Sequence, residues 1–481
     1  MNKRYLVNSD KPKEECGVFG VYSTKQDVAR LTYFGLHALQ HRGQESAGIA
    51  VSDGNSIFVV KDMGLIPQVF NETNLNALQE GNMAIGHVRY STTGSTHWEN
   101  AQPVHKTFSD GSLALAHNGN LINTKNLRQM LQKNGSRFRS TSDTEVIADL
   151  LASFVGDGHV EDAVIKTMEL LEGAYSVVMV TESKLIAFRD AHGIRPLSIG
   201  SLKDGGYAIS SETCGLDIIG AKFIGDVKPG GMVVVDKKGL KRRRVLLANP
   251  ALCIFEFIYF SRPDSSLYAQ SLYHSRIKMG LYLAEEAPVE ADLVIGVPDS
   301  GIPAAIGFSE RSGIKYGEGL IKNRYVGRTF IQPEQLFREV GIKMKLNPLI
   351  ETIKGKRLVV VDDSIVRGNT TRKLVSLLRN SGAKEVHVRI SSPPYSHPCF
   401  YGIDTAASEE LIAYNEKVEK IRKHVKADSL AYLSLESLIK ATGNKKSQFC
   451  TACLTGNYPI PVSKDVKLTK YCLEKTKIKA K

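Results

Sequence analysis

The spacing of apolar residues changes character near residue 250, and this limits the chain to folds with two dissimilar halves. Before that point short segments alternate apolar and polar residues, at 17–22, 48–51, 56–60, 84–90, 113–117, 175–181 and 232–235. A few helical patterns interrupt them. One covers 28–40 and stops at Gly43, and another opens at Ser142-x-x-Glu145, a capping-box spacing, and runs to Phe154. This pattern predicts mostly antiparallel sheets with helices packed outside. After residue 250 apolar strands alternate with helices: 293–297 before a helix from Ser300, 358–361 before a helix over 370–380, and 386–390. That alternation predicts a parallel α/β sheet, with the boundary between Asn249 and Ser261. At 481 residues the chain is long enough for two or three domains of about 150 residues each.

Composition narrows the function classes. Residues 1–15 start basic but hold no apolar run long enough for a signal peptide, and no later segment is apolar enough to span a bilayer, so a cytoplasmic address without membrane contact is expected. Seven cysteines, an odd number, argue against a disulfide framework and for thiolate chemistry or metal ligation. The net charge of +13 fits anionic small molecules and nucleic acid equally. Much of the excess lies in Lys238, Lys241, Arg242, Arg243 and Arg244 and in the Lys-rich end, 464–481. The first run has no aromatic and the second only Tyr471, so both read as solvated surface and no nucleic-acid partner is expected.

Two sites carry candidate chemistry. Cys16, before Gly17-Val18-Phe19-Gly20, becomes a nucleophile of a special kind if the leader 1–15 is removed. Cleavage there would put a thiol and a free α-amine on one residue, and an α-amine, titrating near ~8, can act as a base. Taken alone, Cys16 is also compatible with a small residue on a buried strand. Downstream, the apolar strand Val359-Val360-Val361 ends in Asp362-Asp363 and a turn rich in Ser, Gly and Thr (Ser364, Gly368, Thr370, Thr371) before a helix. Ligands bind at the carboxyl ends of parallel strands, and the N-H groups of a helix N-terminus attract phosphate. The paired carboxylates can hold ribose hydroxyls or, through them, Mg2+. Cys450-x-x-Cys453, with Cys253 and Cys399 far away in sequence, is open between a redox pair, a zinc site and packing.

Residues 359–371 resemble the phosphoribosyl pyrophosphate (PRPP) motif of type I phosphoribosyltransferases, and Gly296-Val297-Pro298-Asp299-Ser300 resembles their pyrophosphate loop. Cys16-Gly-Val-Phe-Gly, Leu39-Gln40-His41-Arg42-Gly43-Gln44, Gly86-His87-Val88-Arg89-Tyr90, His117-Asn118-Gly119-Asn120 and Ser142-Asp143-Thr144-Glu145 resemble the N-terminal-nucleophile glutamine amidotransferases. Together, from Cys16 to Tyr458, the chain is similar to the glutamine PRPP amidotransferases of purine synthesis. The resemblance implies an αββα N-terminal-nucleophile sandwich over 16–250 after a propeptide 1–15, an α/β type I phosphoribosyltransferase domain over 251–460, and a Lys-rich tail 461–481. It implies Cys16 as nucleophile, Asn118 and the Gly119 N-H as oxyanion hole, and Arg89 and Asp143 as ligands of the glutamine carboxylate and ammonium.

For PRPP it implies Asp362, Asp363, Ser364, Ile365, Val366, Arg367, Gly368, Asn369, Thr370 and Thr371, with Lys322 and Tyr325 from a basic loop at 322–328, and Mg2+ at Ser300, Asp362 and Asp363. Asn369 stands where this branch commonly has Thr, a small change in phosphate contact. The contexts Ser261-Arg-Pro-Asp264, His397-Pro398-Cys399-Phe400 and Cys450-Thr-Ala-Cys453 resemble the branch with a 4Fe-4S cluster, implying Cys253, Cys399, Cys450 and Cys453 as its ligands. Cys214 and Cys472 match no ligand position. Inhibition by purine nucleotides and a homotetramer are also implied. A PRPP-sensing nucleic-acid binder would have no use for Cys16, Arg89, Asn118 and Asp143, and a glutamine:sugar-phosphate amidotransferase would lack Asp362-Asp363.

Overall fold

The computed structural model describes residues 16–462 apart from 79, 91–95, 110, 156–158, 324–345 and 406. Two antiparallel sheets face each other in the first half. One runs, edge to edge, Lys222–Asp226, Ser198–Ser201, Tyr207–Ser210, Gly17–Tyr22, Met83–Arg89, Ser46–Ser52 and Ile57–Met63. The other runs Gly239–Arg244, Gly231–Asp236, Leu185–Arg189, Gly173–Thr181, Gly111–Leu121 and Val104–Phe108. Between them lie Val18, Ile85, Ala114, Ala116, Val178 and Ala187, all fully buried. The helix Val28–Ala38 covers the outside of the first sheet through Leu36, and Asp143–Phe154 and Val160–Leu170 cover the second through Ile147, Leu151 and Val164. These four layers are the expected αββα sandwich.

The second half holds a parallel sheet in the order Leu293–Gly296, Arg357–Asp362, Glu385–Ile390, Ser429–Tyr432. Helices Ile302–Ser312 and Asn369–Asn380 follow its first two strands, as the alternation predicted. The strand Arg357–Asp362 is internal, so it is apolar along its length until the carboxylates at its end. The segment 251–260 buries Leu252, Ile254, Phe255 and Phe257 in a core that also takes Ile122, Ala174 and Ile194 from the first half. The two halves therefore share apolar packing where the sequence marks a boundary.

One local reading is corrected. The capping box at Ser142 is not made: the Ser142 side chain caps nothing, and Glu145 instead accepts from the N-H groups of Arg139 and Ser140, at 3.1 and 2.7 Å. The basic run at 241–244, expected as solvated surface, lies on an exposed edge strand, Gly239–Arg244. Charge along such an edge discourages pairing with another chain. The propeptide, Tyr325 with most of its basic loop, Cys472 and the tail from 463 lie outside the described residues.

Candidate active site

Cys16 immediately precedes the strand Gly17–Tyr22 and is buried, its Sγ donating to the Tyr90 carbonyl at 3.2 Å. The neighbouring strand sets Val88 opposite Gly17 and His87 opposite Val18. His87 then reaches across to the other sheet, its Nε2 lying 3.1 Å from the His117 carbonyl oxygen. The residue after His117 is Asn118, fully buried, with neither Oδ1 nor Nδ2 hydrogen-bonded among the described residues. A buried amide without partners is costly, so its retention points to a ligand that completes it. Gly119 follows at φ +148°, where a Cβ would lie 2.0 Å from the Ala174 carbonyl oxygen, so only glycine fits.

Asp143, at the start of its helix, accepts from the Leu121 N-H at 3.1 Å and lies 3.6 Å from His117 Nδ1. Burial raises its pKa most, but His117 and the backbone N-H groups outweigh burial, leaving the carboxyl below its ordinary range and ionised. A buried anion of this kind suits an ammonium ligand. Arg89, at the end of its strand, is 3.5 Å from Glu45 Oε2 and also buried. Glu45 was missed by sequence reasoning, although it follows the quoted Gly43-Gln44. So was any role for His117, which touches Asp143 and carries the carbonyl that meets His87.

His87 gives a pH prediction. Burial, reinforced by nearby cations, lowers its pKa to about 3. Below pH of about 6.5 the unfolded chain takes up a proton that the folded chain refuses, so stability falls as pH drops. Between pH 7 and 5 this residue should cost about 2 kcal/mol. Urea unfolding at pH 7, 6 and 5 should show the slope, and His87→Gln should flatten it; an equal slope in the variant refutes the assignment.

The second site forms at the carboxyl end of Arg357–Asp362. Asp363 is fully buried, with Oδ1 accepting from Ser300 Oγ and Oδ2 from Ser364 Oγ, both at 2.6 Å, while its carbonyl accepts from Ser392 Oγ at 2.7 Å. Asp362 Oδ1 accepts from the Asp363 N-H at 2.9 Å. The pyrophosphate-type loop lies alongside, Val297 N-H donating to the Val361 carbonyl at 2.9 Å. Gly368 precedes the helix Asn369–Asn380 at φ +80° and offers no side-chain cap, leaving helix N-H groups for an anion. Ile365 and Val366 bury their side chains in the core and would contribute backbone alone. Thr371 is buried, Thr370 half-buried and Asn369 exposed. Arg367 pairs with Glu410, and Lys322 Nζ with Asp299 Oδ2 at 2.5 Å, so both cations sit on internal carboxylates.

Four cysteines separated in sequence meet in a third place. Leu252–Cys253 pairs in parallel with Phe449–Cys450, setting Cys253 opposite Cys450. The Cys453 carbonyl accepts from the N-H groups of Ser396 and His397, both at 3.0 Å, which brings in the loop of Cys399. Burial pushes the Cys450 thiol up to about 12 with Cys399 adding, and raises Cys453 with Cys253, Cys399 and Cys450 adding. None of the six cysteines among the described residues is in a disulfide, and no three His, Cys, Asp or Glu there are gathered closely enough to hold a single metal ion. Asn120 Nδ2, one residue past Gly119, donates to the Phe400 carbonyl at 2.9 Å and ties this loop to the candidate oxyanion strand. Cys214 is a buried packing residue beside Ala38 and Glu212. Among the described residues no helix is long and apolar enough to cross a membrane.

Residues 87–217 match the family model of the glutamine amidotransferase domain and residues 280–391 that of the phosphoribosyl transferase domain. The chain is 55% identical to an amidophosphoribosyltransferase of Synechocystis, over 97% of this chain and 95% of the relative. It is 49% identical to that of Bacillus subtilis, over 95% and 96%. The solved B. subtilis glutamine PRPP amidotransferase complexed with ADP and GMP superposes with a TM-score of 0.88 at 48% identity, covering 94% of this chain and 99% of that one. A solved allosteric regulatory enzyme of purine biosynthesis gives 0.89 at 48% identity, covering 94% and 97%.

Proposed function

The chain belongs to the amidophosphoribosyltransferases, which move the amide nitrogen of glutamine to PRPP and form 5-phosphoribosylamine, glutamate and pyrophosphate at the start of purine synthesis, and from this premise we propose how its residues divide the work. The observation that carries the division is the buried, unsatisfied Asn118 amide beside Gly119, close to the strand that Cys16 opens. Cys16, freed of residues 1–15, attacks the glutamine carbonyl while its α-amine relays protons to the leaving ammonia. Asn118 Nδ2 and the Gly119 N-H stabilise the oxyanion. Arg89 exchanges Glu45 for the glutamine carboxylate, and Asp143 takes the ammonium. Ammonia then attacks C1 of PRPP, which lies against Asp362 and Asp363 with its 5-phosphate over 364–371 and its pyrophosphate by the 298–300 loop. Lys322 leaves Asp299 for the pyrophosphate, with Tyr325 from the same loop. Mg2+, which usually keeps waters and substrate phosphates as ligands, fits Ser300, Asp362 and Asp363 and would neutralise charge on the departing pyrophosphate.

The set of buried Cys253, Cys450 and Cys453 with half-buried Cys399 fits a 4Fe-4S cluster better than zinc. Four thiolates on one zinc ion stand only about 4 Å apart, since each Zn-S bond is about 2.3 Å, whereas the corners of a four-iron cluster keep their sulfurs wider. Neutral thiols packed together gain little, while metal binding deprotonates them and ties Leu252–Cys253 to the chain end. Purine nucleotides as inhibitors, a homotetramer and a cytoplasmic address complete the proposal, the first supported by the ADP and GMP bound to the B. subtilis relative.

One sample purified without oxygen tests maturation and metal together. N-terminal sequencing should begin at Cys16, and iron and acid-labile sulfide should each approach about four per chain. An active protein that keeps its leader would remove the α-amine from the mechanism. Stoichiometric zinc without sulfide would replace the cluster.

A further inference from the structure

A set of buried charges used by neither pocket runs between the halves. Arg42, 1% exposed, donates through Nε to Glu212, and its terminal nitrogens reach Glu256 and, at 3.0 Å, Ser261 Oγ. His41 Nε2 lies 2.7 Å from Glu212, and Arg195 Nη1 3.7 Å from the other Glu256 oxygen. Burial would lower the Arg42 pKa, but Glu256 and Glu212 outweigh it and the guanidinium stays charged. Arg42, Glu212 and Glu256, buried and paired with one another, have no low-cost alternative arrangement, so they move together with what they hold.

One end of the network lies beneath the glutaminase pocket. A Cβ on Gly43 would come within 2.5 Å of the Arg89 nitrogen, and one on Gly17 would come 3.5 Å from the Arg42 Cβ. Ser211, next to Glu212, accepts from the Val18 N-H at 2.9 Å and donates its own N-H to the Val18 carbonyl at 3.0 Å. The other end reaches the acceptor site. Glu256 opens a single π-helical turn, Glu256–Phe260, with Ser261 next after it, and Arg276 grips this turn through the carbonyls of Phe257 at 2.9 Å and Ser261 at 2.6 Å. Arg276 sits on the helix Leu272–Glu286, which meets the helix Ile302–Ser312 backbone to backbone. A Cβ on Gly280 would lie 1.9 Å from the Ala304 carbonyl oxygen, and one on Gly307 2.0 Å from that of Ile277. With no side chains to cushion them, the two helices cannot shift separately, and Ile302–Ser312 starts directly after the 298–300 loop. Asp363 is the foremost charge opposing the effect of burial on Arg276.

We propose that Arg42 and Arg276, clamped on opposite sides of the turn at 256–261, are positioning residues through which an occupied acceptor site sets the geometry of the glutaminase pocket. This rests on the two-site assignment above. Loading the pyrophosphate loop shifts the paired helices, Arg276 carries the turn, and Arg42 carries the 41–43 segment against Val88 and Arg89.

The test is the glutaminase KM for glutamine with and without PRPP and Mg2+, beside ammonia-dependent synthesis. In the wild-type enzyme PRPP should lower KM about fivefold or more. In Ser261→Ala and Arg42→Lys that response should shrink to under about twofold, with ammonia-dependent kcat/KM held within about twofold. Arg276→Lys should lose the response as well. Ser261→Ala removes a single hydroxyl, so it keeps the test readable if an arginine variant folds poorly. A wild-type response in Ser261→Ala and Arg42→Lys would overturn the proposal, as would parallel loss of both activities, the mark of a merely structural role. Absence of a PRPP effect in the wild type would instead remove the coupling on which the proposal stands.

Discussion

Replacing Cys16 by alanine is expected to abolish glutamine-dependent phosphoribosylamine formation and to leave the ammonia-dependent reaction in place. The thiol precedes the strand Gly17–Tyr22, in the sandwich, whereas the PRPP motif ends a strand of the separate parallel sheet. Alanine removes the one group that can form the thioester and leaves the strand, its pairing with Met83–Arg89 and the acceptor site untouched. A nucleophile has no partial substitute, so the loss should reach the assay floor. Asn118→Ala is the companion measurement: it keeps the thiol but removes the proposed oxyanion donor, and turnover should fall about 10²–10³-fold. Both variants are read by glutamate release and by synthesis with glutamine or ammonia. Loss of both nitrogen sources in Cys16→Ala would refute the division of labour.

Asp362→Asn and Asp363→Asn should do the reverse, lowering PRPP use with glutamine and ammonia alike by about 10²-fold or more, because acceptor geometry is common to both. Asp363 is fully buried and takes hydroxyls from Ser300 and Ser364 on its two carboxylate oxygens, so an amide there must present an N-H where the carboxylate accepts. Asp362 orders the same turn through the Asp363 N-H. The two variants would therefore disturb the charge proposed to hold Mg2+ and the turn that displays it. Initial-rate kinetics against PRPP at saturating Mg2+ measures the effect. Unchanged kcat/KM for PRPP in both variants would strike the motif from the acceptor site.

The sequence by itself determined the two halves, antiparallel sheets with helices outside and then a parallel α/β sheet, because strand alternation, the run into Asp362-Asp363 and the turn before Asn369 are written within a few neighbouring residues. The αββα class and the candidate site positions came from the family resemblance. The tertiary structure decided what those positions face. Arg89 has Glu45 beside it and Lys322 has Asp299, pairings that no local spacing reveals. At Ser142 the local signal was right about where the helix begins and wrong about its cap, since Glu145 found the backbone of Arg139 and Ser140. Arg42 and Glu256 stand 214 residues apart, and Asn120 and Phe400 stand 280 apart. Periodicity encodes which face of an element is buried, but a buried charge finds its partner only once the sheets and helices have packed. For that reason Arg276 passes unnoticed in the sequence, Arg42 is seen there only as part of a motif, and both become, in the fold, the proposed ties between its two sites.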